Sequence, residues 1–400
     1  AAQLGLEQWY KDILRRTGHS LGRVSRDSIN ALYGSTLNLS ASQIDRQAEC
    51  RMSYFLKYGM RAKEQKEATI DPAEFGTYVH AVLENTAREV MDRGGFHTVS
   101  LEETMEIALR HADAYAIDHF SQLQSQRLEY QFRRNRRELE MVVEELWQEL
   151  KESRFQPADF ELNFGQGGTM PAIDIPAVHM QASLRGFVDR VDIWKENGRN
   201  YFRVVDYKTG KKDFDYCDVF NGVGLQMLLY LFALQKNGEA VVGEDPVAAG
   251  VQYFPARVPL VAADGRLTDE EADAARAKEW KRKGLLLSDE AVLEAMDPED
   301  SGRLCCKKTK DGTLTGDIAD RQQLRMLERY VFKVLGNMVD DIASGNVAAN
   351  PYTRGTSHDA CAFCPYGAVC HKNTVEGRRN YKAMTAQQFW EEVGREDGHG

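Results

Sequence analysis

No stretch of this 400-residue sequence approaches the ~20 consecutive apolar residues that cross a bilayer. Its first residues, AAQLGLEQWYKDILRRTG, also lack the charged-then-apolar plan and cleavage pattern of a secretory signal. Together these absences set the expectation of a cytoplasmic protein with no membrane partner. The missing initiator Met adds the expectation of a piece that starts inside a longer chain. Positive charge is in short supply: 51 Lys+Arg against 61 Asp+Glu leave a formal charge of -10, which argues against a uniformly basic nucleic-acid binder. A local basic channel, or carboxylates offset by a metal ion, stays compatible with that balance. There is no internal repeat, and no G-x-x-x-x-G-K-[ST] phosphate loop, so ATP hydrolysis by this chain alone is not expected. What is present, 42% hydrophobic and 28% charged residues, belongs to a soluble globular protein of two or three domains or one elaborated core.

The pattern changes along the chain. Residues 3–18 and 26–34 read as short helices, and Ser40 or Ser42 can cap the next one through its side-chain oxygen. DPAEFGTYVHAVLENTAREVMDRGG predicts about four helical turns ending at Gly94-Gly95, with His80 and Glu84 at i,i+4 on one side. Helices over 99–117 and 121–152 follow, the second carrying an apolar stripe of Leu139, Val142, Val143, Leu146, Trp147 and Leu150. Its Arg133, Arg134, Arg136 and Arg137 read as a solvated face rather than a DNA contact. Strands are predicted over 158–164, 177–194, 201–208 and 251–254, with an apolar helix, LQMLLYLFALQKNG, before the last. The charged stretch 260–300 reads as an exposed loop with helices rather than core sheet, and an amphipathic helix covers 318–344.

Asn197-Gly198, between the strands ending in IWKE and beginning with RNYF, is a strong hairpin signal. If those two residues form the loop, opposed positions sum to 395 and Asp189 faces Asp206. Such a pair has Cβ atoms about 4.5–5.5 Å apart, and like charges there destabilise the hairpin unless a cation compensates. Alternation adds Lys208 to the side of Asp206. Asp192 opposite Arg203 reads as an ordinary cross-strand ion pair. With Gln226 and Tyr230 at i,i+4 on the following helix, the candidate site comprises His80, Glu84, Asp189, Asp206, Lys208, Gln226 and Tyr230. Oxygen ligands plus an imidazole suit magnesium or manganese, and Lys208 can orient or deprotonate water or hold a phosphate oxygen. Phosphodiester hydrolysis needs these roles.

Seven cysteines are present, three of them as C-x2-C-x5-C at Cys361, Cys364 and Cys370. Convergent thiolates at that spacing need a fourth ligand, for which Cys50, His358 and His371 are candidates, and zinc or an iron-sulfur cluster satisfies it equally. Cys217 reads as a core residue, and the adjacent Cys305 and Cys306 as poor joint ligands.

Six segments, LSASQIDRQAECRMSYFLKYGMR, GTYVHAVLE, GFVDRVDIW, VVDYKTG, LQMLLY and CAFCPYGAVC, run in order from residue 39 to residue 370. In that series the chain resembles the RecB-like branch of the PD-(D/E)XK nucleases, most closely the AddB-type nuclease domains of bacterial ATP-dependent helicase-nucleases. The resemblance implies an α/β fold, a central mixed sheet flanked by helices, in a metal-dependent DNA exonuclease acting in double-strand-break processing. It implies metal positions at His80, Asp189 and Asp206, a catalytic Lys208, a supporting Gln226 and Tyr230, and a [4Fe-4S] cluster on Cys50, Cys361, Cys364 and Cys370. DNA and an AddA-type helicase-nuclease subunit are the implied partners. Arg51 stands where such proteins often carry Pro. The expected layout is an N-terminal segment (1–38), a nuclease domain (39–371) with a helical insertion (98–152) and a charged one (258–315), and a C-terminal helix and tail (372–400). A freestanding Cas4-like exonuclease is disfavoured by those insertions, and a catalytically silent DNA-binding module by the retained carboxylates and Lys208. Despite the acidic total, DNA is expected to reach the site along a local basic rim of Arg185, Lys208, Lys211 and Lys212.

Overall fold

The computed structural model describes residues 5–11, 22–63, 72–120, 126–165, 167–258, 265, 267–355, 358–370 and 377–398. Ser40 caps the helix Ala41–Glu49 in a full capping box with Gln43, as its sequence predicts. Three long helices follow: α1 (Pro72–Asp92), α2 (Leu101–Phe120) and α3 (Gln126–Glu152). Among the described residues, the main sheet has six strands in plain chain order: β1 (Gln156–Phe164), β2 (Gly186–Glu196), β3 (Arg199–Lys208), then β4 (Pro246–Pro255), β5 (Lys283–Leu287) and β6 (Ile318–Ala319). Pairing is antiparallel except for β3 with β4 and β5 with β6. A parallel neighbour cannot be reached by a tight turn, and α4 (Gln226–Asn237) lies in the crossover between β3 and β4. Helix α5 (Arg321–Ala343) completes the layers.

Two apolar cores fill the space on either side of the sheet. The stripe predicted on α3 is buried there, Leu139, Val142, Val143, Leu146 and Leu150 packing with Val79 and Leu83 of α1 and with Val205, Tyr207 and Phe254 of the sheet. The second core joins α4 and α5 to Val204, Val251, Leu285 and Leu286.

Two expectations need correction. The strand read over 177–194 is broken at Arg185: Gln181–Leu184 pairs with Thr36–Leu39 in a separate small sheet, and Arg185 donates its backbone N–H to Leu39 O (2.9 Å) before β2 begins. The charged stretch also supplies a core strand, since Leu285, Leu286 and Leu287 of β5 are buried at 1% or less. A run of three leucines inside highly charged flanks is too short to show a period. The helix predicted over 3–18 falls largely outside the described residues. Of the arginine cluster on α3, Arg137 is exposed as expected, whereas Arg136 pairs with Asp113 of α2. The side chains of Arg133 and Arg134 lie outside the described ones.

Candidate active site and cysteine centre

The Asn197-Gly198 turn has both residues at positive φ (51° and 73°), which is what a two-residue hairpin matched to strand twist requires. Register follows: Glu196 pairs with Arg199, Asp192 with Arg203 and Arg190 with Val205. The ladder stops there, one step short of Asp189 and Asp206. The Asp189 carboxylate instead accepts the Tyr207 backbone N–H (3.0 Å), so β2 and β3 part where the two acids begin.

The parting involves β1 as well. A register shift between Pro157 and Asp159 brings Phe160 opposite Arg190 and Leu162 opposite Val188, which leaves Glu161 level with Asp189. Phe160 packs in the core under α1–α3, whereas Leu162 packs in the core under α4 and α5. Residues two apart on a regular strand share a face, so the strand is rotated at Glu161, whose φ is +46°. A left-handed non-glycine residue inside a strand stores strain, a feature that gathers at functional sites.

At this opening a His80 ring nitrogen, a Glu161 oxygen and an Asp189 oxygen lie within 4.8 Å of one another, the sole such set of potential metal ligands among the described residues. The tautomer is dictated by what His80 meets on its other side. Its Nε2 is 2.6 Å from the Tyr207 carbonyl oxygen, which can only accept. Nε2 therefore carries a proton, and Nδ1 stands 3.3 Å from Asp189 Oδ2, free to give its lone pair to a cation placed between them. A lone pair and two carboxylates facing one point suit a hard divalent cation. Tyr207 orders both side chains through its backbone.

Asp206 lies deeper, its side chain 3% exposed and ion-paired with Lys208. Burial, and next the charge of Asp189, push its carboxyl up to about 6 against the pull of Lys208. Glu161 is pushed up to about 7 by burial, then by Asp189 and Glu84. Carboxyls raised by burial and then by a neighbouring acid mark a place where positive charge is wanted.

Gln226 and Tyr230 act on the strand. Gln226 Nε2 donates to the Tyr230 hydroxyl (3.2 Å), which also hydrogen-bonds with the Phe187 backbone. A Cβ at Gly186 would stand 2.9 Å from the Tyr230 ring, so glycine lets α4 approach β2 just ahead of Asp189. Glu84 is drawn away into an i,i+4 pair with Arg88 (2.9 Å). Arg185 and Lys211 are exposed, while Lys212 is half-buried, near Asp45 and 6.0 Å from the centre of the Tyr253 ring. Glu161 is a site residue that sequence reasoning missed. It lies in a predicted strand, but the bulge that sets its register has no local signature in QPADFELNF.

The model of the PD-(D/E)XK nuclease superfamily matches residues 38–371. The chain belongs to that superfamily. Among curated relatives, the AddB-type ATP-dependent helicase/deoxyribonuclease subunit of Clostridium novyi is 32% identical over 92% of this chain and 33% of its own length. The proteins of that type from Acetivibrio thermocellus and Symbiobacterium thermophilum are each 32% identical, over 90% and 100% of this chain and 32% and 34% of theirs. The chain thus spans about a third of the length of the relatives it matches. The hairpin that carries Asp189, Asp206 and Lys208 lies within the matched residues, on a mixed sheet between helical layers. No helix of the described residues is long and apolar enough to cross a membrane.

The nuclease core is joined at its ends. Cys50 sits in extended backbone between two helices, and Cys50, Cys364 and Cys370 line one small apolar cluster with Met52, Leu56 and Tyr366. Cys361 lies near both Cys50 and Cys364. The Arg that replaces an expected Pro has a use for its backbone N–H, which donates to Asn350 Oδ1 (2.9 Å), while its guanidinium pairs with Asp341. Of the other candidate ligands, His371 lies outside the described residues. His358 is committed to Asp218 (3.6 Å) and Glu49 (3.7 Å). Cys217 is buried against Lys382 O, and burial pushes the Cys306 thiol up to about 11 and Cys305 further in the same direction.

His358 permits a pH prediction. Its bonds to Asp218 and then Glu49 raise it to about 9, above the ordinary imidazole value, so its contribution to stability is full below about pH 6.5 and fades as pH rises through 9. The group is half-buried, so solvent screens the pairs and the effect is modest. Melting temperature measured from about pH 6 to 9.5 should fall more for the starting protein than for His358→Gln, and parallel curves would reject the assignment.

Proposed function

We propose that this chain is the divalent-metal-dependent deoxyribonuclease part of an ATP-dependent helicase-nuclease that trims DNA ends during double-strand-break repair, working with an AddA-type helicase-nuclease subunit. The observation that carries the reading is the convergence of His80, Glu161 and Asp189 beside the Asp206–Lys208 pair. Magnesium or manganese held by His80, Asp189, Asp206 and Glu161 would supply charge neutralisation at a phosphoryl oxygen and at the leaving oxygen. Lys208 is placed to steady the attacking water or a non-bridging oxygen while its charge grows. Tyr207 keeps His80 and Asp189 in their ligand orientations through its carbonyl and N–H, and the Gln226–Tyr230 pair holds the strand that presents Asp189. Arg185, Lys211 and, less freely, Lys212 would meet phosphates along the approach.

Purified chain incubated with single-stranded DNA should cut it with magnesium and not with EDTA. Glu161→Gln should need on the order of tenfold more metal for the same rate, as loss of an orienting or peripheral ligand does. Absence of metal-dependent cleavage, by this chain alone and with its partner subunit, would reject the function.

The superfamily resemblance and the spatial gathering of Cys50 with Cys361, Cys364 and Cys370 support a [4Fe-4S] cluster that ties the two ends of the core. A link closing a loop of roughly 310 residues restricts the unfolded chain strongly. Anaerobically purified protein should contain about four iron and four sulfide per chain, and Cys50→Ser should lose iron and melt earlier. One zinc and no iron would replace the cluster but keep the ligands. Full metal content after removal of Cys50 would defeat the link.

A further inference from the structure

We infer that Phe187 is a platform on which one base of a single-stranded DNA substrate stacks, a step away from the carboxylates at which its scissile phosphate is cut. The inference rests on the nuclease reading above and adds the residue that receives a base of its substrate.

Phe187 is 53% exposed, and among the described residues it is the one large apolar side chain of the six-stranded sheet left in water. β2 keeps only its β1 neighbour at Phe187, because the ladder to β3 begins at Arg190, while Val188 and Val191 of the same strand are buried at 1% or less. A phenyl ring left in water beside such buried residues is unusual. The mount is a paired strand with a packed neighbour: Phe187 pairs with Asn163 of β1, and the Tyr230 ring lies against Gly186 beside it. A ring displayed from fixed backbone loses little freedom on binding.

Placement matches exposure. Local alternation puts Phe187 and Asp189 on the side of β2 from which Gly186 and Val188 turn away, about 6.6 Å apart by strand rise. Two residues further back Arg185 is exposed, offering charge to a backbone phosphate. An aromatic face between a cation and the metal-ligand candidates suits a strand whose scissile phosphate is cut at that site while a neighbouring base lies on the ring. Every base has such a face, so the contact is indifferent to sequence. A duplex keeps its bases stacked inside, so the platform favours an unpaired strand.

The test uses this chain with Asp206→Asn, so that cleavage is expected to stop while DNA is bound, and single-stranded DNA carrying 2-aminopurine at successive positions. Fluorescence should be quenched at one position, and Phe187→Ala should relieve the quenching and weaken binding on the order of 5- to 150-fold, whereas Phe187→Trp should preserve both. An abasic nucleotide at that position should weaken binding to the Phe187 protein and leave Phe187→Ala unaffected. In the cutting-competent chain Phe187→Ala should raise KM by a similar factor and leave kcat within a few-fold. Equal DNA binding by Phe187→Ala, or an abasic penalty that is the same in both proteins, would overturn the platform. So would intact DNA binding with lost association to another protein chain. Quenching without any metal-dependent cleavage would instead preserve the platform and reject the nuclease reading.

Discussion

Lys208→Ala should lower single-turnover cleavage of single-stranded DNA by on the order of 10²–10³, the usual loss when one stabilising donor is removed from a developing charge. The folded structure should survive, because the Lys208 side chain is 30% exposed and its backbone carbonyl still accepts from Ala256 (2.9 Å). Metal affinity should change little, since an ammonium supplies no lone pair and the Lys208 charge opposes rather than assists a cation in the same place. Asp206→Asn should behave differently, with metal binding and cleavage falling together. Lys208→Arg should recover part of the rate: the charge returns, but a planar guanidinium cannot occupy the position of a compact ammonium against Asp206. Calorimetric metal titration and melting curves on the three variants separate these outcomes. An unimpaired rate in Lys208→Ala would remove this residue from the chemistry.

Much of that site was legible because hairpins are local. A two-residue turn fixes register by counting, and counting placed Asp192 against Arg203 correctly. The same count puts Asp189 level with Asp206, but it could not show that the ladder would end before the acids. Their parting goes with the rotation at Glu161, which lies in a third strand. Glu161 itself was invisible for a related reason: its position beside Asp189 is set by a bulge against a strand that comes later in the chain. The helix carrying His80 was predicted from its caps and period, yet the tautomer that frees Nδ1 depends on the Tyr207 carbonyl, 127 positions along the chain. Motif residues outside the chemistry had physical causes that became readable only in three dimensions. Gly186 clears the Tyr230 ring, and Arg51 uses an N–H that Pro lacks.

Glu149→Ala should destabilise the protein by about 3–5 kcal/mol, the cost of leaving buried charge without its partner. Asp192 and Arg203, an ordinary cross-strand pair as read from the sequence, prove to be 0% and 1% exposed. Arg203 Nε donates to Asp192 Oδ2 (2.8 Å), Arg190 bonds the same carboxylate (3.0 Å), and both guanidiniums reach Glu149 of α3, as does Arg282 next to β5 (2.7 Å). Burial alone would raise the Glu149 carboxyl, but Arg282, Arg203 and Arg190 together outweigh it and hold that group far below the usual carboxylate range. A depressed carboxyl contributes stability that is complete above the ordinary Glu value near 4.5 and is lost only as pH falls towards its own much lower one. At neutral pH the starting protein therefore has the full contribution and Glu149→Ala none of it. The same network reaches the active site, since Arg190 Nη1 donates to the Tyr207 hydroxyl (3.1 Å) and Tyr207 is the residue whose backbone orders His80 and Asp189. Loss of Glu149 should thus lower the urea midpoint and, in molecules that remain folded, weaken metal binding. Glu149→Gln, which restores the shape and one acceptor without the charge, should recover only a minor part of either. A midpoint within error of the starting protein would show that the helical layer is held to the sheet by its apolar stripe alone.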